Sequence, residues 1–169
     1  AVAASVTYLI SHLALNRHYV YGVPADATPP RIADVVRGTT PRREDPIAVL
    51  HAPGTRFQYS GGGFLVLEHL IELLGGAPIQ TLTAPFLGRL GLAGLTFDPQ
   101  APDGYSVADG YFDDGARVPG GRLQFPAFAA GALGTASAML TFLRHLGQAC
   151  ADAAGVGDLG AGARLRSAP

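Results

Sequence analysis

The sequence predicts a mainly helical chain with too few strands to close a sheet of its own. Apolar side chains recur at helical spacing in four segments, 2–15, 64–74, 78–90 and 137–147. Only one segment, 107–118, has the pattern of a β-hairpin, with its turn at Asp113-Asp114-Gly115. The 169 residues suffice for a compact body, which at this mass buries about 69 % of the unfolded surface.

The first half of the chain alternates short helices with loops. The helix predicted over 2–15 has a near-helical apolar pattern that β-branched Val6 and Thr7 interrupt. Proline and glycine predict a loop over 19–30, and a short helix over 31–37 is stopped by Gly38.

The segment 51–76 carries the clearest pattern. A Pro-Gly turn precedes a short extended segment, and three glycines at 61–63 give the backbone freedom before the helix at 64–74. Glu68 and Glu72 share one narrow face of this helix. We interpret them as a solvent-facing stripe rather than a carboxylate pair, and expect the other sides of the helix to be buried.

Two more helices and a tail complete the chain. The helix at 78–90 contains Pro85, which predicts a kink or a restart, and a further helix follows at 137–147. Residues 151–169 are rich in alanine and glycine and lack periodicity, which predicts a disordered tail. We therefore divide the chain into a helical portion, 1–150, and a tail, 151–169.

Composition excludes several classes of protein. The net charge is −1 and no basic run occurs, so the sequence lacks the electrostatic pattern of a nucleic-acid-binding protein. No stretch has the roughly 18 consecutive apolar residues of a membrane span. Hydrophobic residues make up 48 % and charged residues 15 % of the chain, against a usual charged content of about 25 %. This apolar content predicts that something other than the chain's own core covers part of the surface.

All twelve basic residues are arginine, and the chain contains no lysine. A mechanism that needs a lysine base or a phosphate-loop lysine therefore cannot be completed within this chain. The single cysteine, Cys150, cannot form an internal disulfide, so the cellular compartment stays open. The five histidines lack metal-binding spacing, and the sequence predicts neither a metal nor a cofactor.

A nucleophilic serine is not obvious from local sequence. Ser60 lies in Gln58-Tyr59-Ser60-Gly61-Gly62, which resembles a nucleophile elbow but lacks its first glycine. The glycines at 61–63 fit neither of the common phosphate-binding patterns, so a tight turn is the favoured interpretation.

Four blocks of sequence resemble the serine β-lactamase and penicillin-binding-protein-like hydrolases, a family of class C β-lactamases, D-alanyl-D-alanine peptidases and related esterases. Residues 52–64, Ala-Pro-Gly-Thr-Arg-Phe-Gln-Tyr-Ser-Gly-Gly-Gly-Phe, resemble the family block PGT-x-F-x-YS. In the family's order, residues 9–12 resemble LLSHTSGL, 85–92 resemble PLGM, and 130–136 resemble AGGL-x-ST. The blocks cover roughly residues 5–147. The resemblance implies an α+β fold, of which this chain is the mostly helical portion, without the N- and C-terminal sheet strands.

The resemblance also implies the chemistry. In the family, a serine in an S-x-x-K motif attacks a carbonyl, while the lysine and the tyrosine of Y-x-N manage its proton. Tyr59 matches that tyrosine and is the predicted catalytic residue, and Gly61 stands at the asparagine position. This glycine weakens assignment as a β-lactamase in favour of an esterase-like member. Gly61, Ser60 and Phe125 are the predicted substrate-binding residues, and His12 is expected to order a loop.

Two functions follow from this resemblance. The chain is a fragment or subunit of a serine hydrolase of small esters or amides, completed by a second polypeptide or segment with the S-x-x-K motif and a K-T-G-like strand. Alternatively, it is an inactive remnant that serves as a binding module. In either case the sequence predicts that the isolated chain is inactive, because two members of the catalytic unit are absent.

Overall fold

The computed structural model describes residues 5–41, 45–101 and 103–153. Its regular elements are α1 (Val6–Ile10), β1 (Val23–Pro24), α2 (Ile32–Arg37), α3 (Gly62–Gly75), α4 (Ile79–Arg89), β2 (Leu95–Thr96), β3 (Leu123–Gln124), β4 (Leu133–Gly134) and α5 (Ala136–Ala153). Two turns of 3-10 helix, Pro119–Gly121 and Ala127–Ala129, flank β3. The strands form two separate antiparallel pairs, β1 with β3 and β2 with β4. Within the described ranges the chain is thus mainly helical and has no closed sheet, as predicted.

Helix α3 packs against several other elements. It contacts α1, α2, α4 and the turn Ala127–Ala129. Near its start, a Cβ atom on Gly63 would lie 2.9 Å from the carbonyl oxygen of Leu9, so glycine allows α1 to approach closely. Leu65 is fully buried, and Leu67 joins Leu9 in the hydrophobic core. This packing fixes the loop that immediately precedes α3.

Glycines end two helices where the sequence predicted. Gly38 after α2 and Gly76 after α3 have left-handed backbone conformations, with φ of 68° and 65°. This conformation costs little at glycine, which has no Cβ atom. Helix α4 continues through Pro85. Helix α5 extends to Ala153, so the tail predicted from residue 151 begins within a helix, and residues 154–169 lie outside the described ranges.

The first helix is much shorter than the prediction of 2–15, which was wrong at its C-terminal end. Helix α1 ends at Ile10, and His12 has a φ of 58° that a right-handed helix does not allow. Beyond it the chain pairs with a distant segment, because the Leu13 carbonyl oxygen accepts a hydrogen bond of 2.8 Å from the Gly54 amide. Long-range pairing therefore replaces the helix that local spacing favours.

The predicted hairpin is confirmed. The amide of Phe112 donates to the carbonyl oxygen of Ala116 and that of Val118 donates to Gly110, both over 2.9 Å. Gly115 completes the turn with a φ of 82°. The hairpin therefore spans at least residues 110–118.

Several apolar side chains lie on the surface. Helix α3 was predicted to be buried on nearly every side, but at its C-terminal end Leu73 and Leu74 are 67 % and 80 % exposed. Helix α5 exposes Met139, Leu140, Leu143 and Leu146. Among the described residues no single helix is long and apolar enough to cross a membrane; only α3 and α4 taken together, with a 90° bend, have that length and composition.

Candidate active site

Tyr59 lies on an extended segment that pairs with the chain following α1. The Gln58 amide donates to the carbonyl oxygen of His12, and the Gly61 amide donates to that of His18, each over 2.8 Å. These bonds hold the backbone on both sides of Tyr59. The loop before α3 is therefore fixed by hydrogen bonds as well as by helix packing.

His12 completes this support. Its Nδ1 accepts a hydrogen bond of 3.2 Å from the Ser60 amide, which places any single ring proton on Nε2. The imidazole ring contacts three aromatic rings, with centroid distances of 4.8 Å to Tyr59, 5.6 Å to Phe64 and 5.9 Å to Phe57. His12 thus orders the tyrosine loop, as expected from the sequence.

The Tyr59 side chain is about half exposed, at 48 %. The Tyr19 ring lies beside it at 5.8 Å, and the Arg17 guanidinium stacks over Tyr19 at 5.9 Å. Phe57, which is 66 % exposed, continues this aromatic surface. About half of Tyr59 is thus open to solvent, while its ring packs against His12 and Tyr19.

Ser60 and Gly61 are both buried. Ser60 is only 1 % exposed, and its Oγ has no hydrogen-bond partner among the described residues. The serine hydroxyl is thus not presented to solvent, which argues against an elbow-type nucleophile. A Cβ atom on Gly61 would lie 2.8 Å from Cγ2 of Val20, so an asparagine side chain would require that valine to move. Substrate contact by these two residues stays a prediction.

Phe125 lies in the wall of a separate cavity of about 460 Å³, whose lining does not include residues 59–61. The segment 19–22 contacts both the tyrosine loop and Phe125. Tyr19 packs on Tyr59, and a Cβ atom on Gly22 would lie 2.7 Å from Cζ of Phe125. A direct role for Phe125 in binding substrate beside Tyr59 stays a prediction.

Glu68 lines the same cavity. The prediction of a solvent-facing stripe is wrong for this residue, because Glu68 is only 4 % exposed. Its Oε2 accepts a hydrogen bond of 2.9 Å from the Phe128 amide, while Oε1 of Glu72 accepts one of 3.0 Å from Ile79. Burial raises the pKa of Glu68, the amides of Phe128 and Ala127 oppose this rise, and the charge of Glu72 adds to it.

Among the described residues, no group of three or more histidine, cysteine, aspartate or glutamate side chains could hold a metal ion. The tyrosine loop offers an aromatic surface and a phenol, and a role in proton transfer stays a prediction.

A sequence model of the β-lactamase family matches residues 14–166. The chain belongs to this family. The match confirms the family resemblance, and it includes three of the four sequence blocks and the whole tyrosine loop. It places the chain among β-lactamase-like serine hydrolases.

Solved structures with the same fold agree with membership of the β-lactamase family. The D-amino acid amidase from Ochrobactrum anthropi SV3 complexed with D-phenylalanine has 18 % identity and a TM-score of 0.59 over 92 % of this chain and 46 % of its own. The penicillin-binding protein from Bacillus halodurans has 18 % identity and a TM-score of 0.57 over 86 % of this chain and 47 % of its own. At these identities the likeness shows the fold alone. Comparison with curated proteins gives no significant sequence match.

This β-lactamase family member thus spans less than half the length of those solved structures. The S-x-x-K and K-T-G motifs of the family both contain a lysine, and this chain has none. Tyr59 matches the catalytic tyrosine of the family block, and its catalytic role in this chain stays a prediction.

The raised pKa of Glu68 should make the stability of this β-lactamase family member depend on pH. Because its pKa is raised in the folded state, the folded protein binds the proton more tightly than the unfolded chain does. The stabilisation is complete below about pH 4 and is lost as the pH rises through the folded pKa. We expect the free energy of unfolding of Glu68→Gln to lack this decline. Urea unfolding of both proteins between pH 4 and 7 measures it, and parallel pH profiles would contradict the assignment.

Proposed function

We propose that the chain is the tyrosine-bearing portion of a serine hydrolase that acts on small esters or amides. The nucleophilic serine and its lysine come from a polypeptide segment outside this sequence. The observation that carries the proposal is the half-exposed Tyr59 phenol on a loop fixed by His12 and by backbone pairing. The lack of lysine in a chain of this family supports the second part.

In the proposed reaction the serine Oγ attacks the substrate carbonyl carbon and its proton passes to the Tyr59 oxygen. The tetrahedral intermediate then collapses, the bond to the leaving group breaks, and the leaving oxygen or nitrogen takes that proton. Water cleaves the acyl-serine ester by the same sequence of steps, which regenerates the serine. A lysine ammonium from the second segment would lie beside Tyr59 and stabilise the phenolate form that accepts the proton.

One fold neighbour, a D-amino acid amidase, supports the amide class of substrate. Gly61, at the family's asparagine position, favours the esterase-like members. We therefore propose a small ester or amide substrate and no cofactor.

Active-site labelling tests the proposal. We expect the isolated 169-residue chain to show no labelling by a fluorophosphonate or a fluorescent penicillin, and no hydrolysis of p-nitrophenyl acetate above a Tyr59→Phe control. Labelling is expected only when flanking segments with the S-x-x-K and K-T-G motifs are co-expressed. Stoichiometric labelling of the isolated chain that is lost on Ser60→Ala would instead establish an elbow-type hydrolase.

An inactive remnant that serves as a binding module is the second candidate, and the missing lysine favours it as well. Native mass spectrometry of the purified protein distinguishes the two. A co-purifying chain with the missing motifs supports the hydrolase. If active-site labelling of that assembled complex then fails, the binding module is supported instead.

A further inference from the structure

The cavity beside α3 is a second feature with the character of a ligand site. Its walls come from α2, α3, the start of α4 and the β1–β3 pair, so residues far apart in sequence enclose it. Its volume of about 460 Å³ lies within the usual range of small-molecule sites, roughly 300–1,000 Å³. Most of the lining is apolar, with Val35, Ile79 and Phe97 among the contributing side chains.

One hydroxyl in this wall lacks a partner. Thr40 is 5 % exposed and lines the cavity, and its Oγ1 has no hydrogen-bond partner among the described residues. Burial of a hydroxyl without a hydrogen bond is unfavourable, and native proteins rarely leave such a group unsatisfied. The orphaned hydroxyl therefore indicates an occupant with a polar group.

Two carboxyl groups in the same wall indicate what kind of polar group the occupant carries. Glu68 accepts backbone hydrogen bonds from Phe128 and Ala127, and Glu72 accepts one from Ile79. A carboxylate has about four acceptor positions, so both groups retain free acceptor capacity. The other charged group in the lining is Arg122, whose guanidinium donates to the carbonyl oxygen of Pro99. The lining therefore holds two acidic side chains and one arginine, and that arginine already has a hydrogen-bond partner. This excess of acidic groups favours a ligand that carries hydrogen-bond donors and a positive charge.

We infer that this cavity binds a small primary amine with an apolar body. The ammonium group donates to the carboxylates of Glu68 and Glu72 and to the Thr40 hydroxyl oxygen, while the apolar body packs against the aliphatic and aromatic wall. The site does not include Tyr59, although its wall contains Phe125, which the sequence predicted to bind substrate. All of the residues that line it belong to this chain.

Titration followed by two-dimensional amide NMR tests the inference on the 169-residue chain at pH 7. Three probes share one ring and differ in their polar group: phenethylammonium, 2-phenylethanol and 3-phenylpropionate. We expect saturable binding of the amine, with amide shifts at the residues that line the cavity. The loss of charge-assisted hydrogen bonds should weaken binding of the alcohol about 10-fold or more. Equal affinity for all three, or shifts confined to the tyrosine loop, would overturn the inference.

Variants locate the binding group. Thr40→Val removes only the unpartnered hydroxyl, so we expect an unchanged or higher urea midpoint and amine affinity weakened about fivefold. Thr81→Val, at an exposed position on α4 outside the cavity, is the matched control and should bind as the native chain does. Glu72→Gln should weaken the amine and leave the alcohol unchanged. If Thr40→Val and Glu72→Gln both bind the amine with native affinity, the inference is wrong.

Discussion

Tyr59→Phe is expected to lower the rate of serine acylation about 10²- to 10⁴-fold in the hydrolase assembled from this chain and its complementing segment. The substitution removes only the phenolic oxygen, and the phenyl ring keeps its contacts with His12 and Tyr19. The loop should therefore keep its shape while the proton acceptor is lost. The burst rate with p-nitrophenyl acetate measures acylation, and thermal unfolding checks that stability is unchanged.

Tyr19→Phe is the matched control for this experiment. Tyr19 is 53 % exposed and lies beside Tyr59, so it has a similar environment but no assigned role in proton transfer. We expect its acylation rate to stay within about twofold of the native rate, since surface changes of this kind have small effects. If both variants acylate at the native rate, Tyr59 is not the residue that transfers the proton.

Gly131→Ala should have the largest effect on stability. A Cβ atom there would lie 2.5 Å from the Phe125 carbonyl oxygen, 2.7 Å from that of Pro126 and 2.8 Å from the Ala127 Cα. All three are backbone atoms, so the clash cannot be relieved by rotating a side chain. We expect a loss of about 3 kcal/mol in the free energy of unfolding, at the upper end for overpacking. Urea unfolding followed by circular dichroism measures the loss.

Gly147→Ala provides the opposite case. Gly147 lies inside α5, and a Cβ atom there would contact nothing within 4 Å. Alanine lowers the backbone entropy of the unfolded chain, so we expect a gain of about 0.5–1 kcal/mol. Equal stabilities for the two alanine variants would show that residues 125–131 do not pack as described.

Local signals account for the parts of the fold that sequence predicted well. Gly38 and Gly76 end α2 and α3 because each helix stops at a residue that takes a left-handed conformation. The prediction of the first helix was wrong at its C-terminal end, because that end is set by pairing with a distant segment that periodicity does not reveal. The chain after His12 pairs with residues 54–61, some 40 residues away, and those hydrogen bonds replace helical ones.

The cavity could not be predicted from the sequence either, because distant segments form its wall. The position of Glu68 within an apolar helix was a usable signal, but helical spacing alone did not show which element covers it. Its partner is the Phe128 amide, 60 residues further along the chain. Thr40 lies in a loop, and nothing in the neighbouring sequence distinguishes it. Tyr59, in contrast, could be singled out from its family block, although its support by His12 required the structure.

The β1–β3 pair has a consequence for how the protein folds. Here the Gln124 side chain donates to the carbonyl oxygen of Pro24, 100 residues earlier. Closure of so long a loop costs more chain entropy than formation of the adjacent α3 and α4, which are joined by a short turn. The helical pair can therefore assemble early, and the strand pair closes late. Because the cavity wall includes both, it is complete only after that late step, and an occupant would slow unfolding rather than accelerate folding.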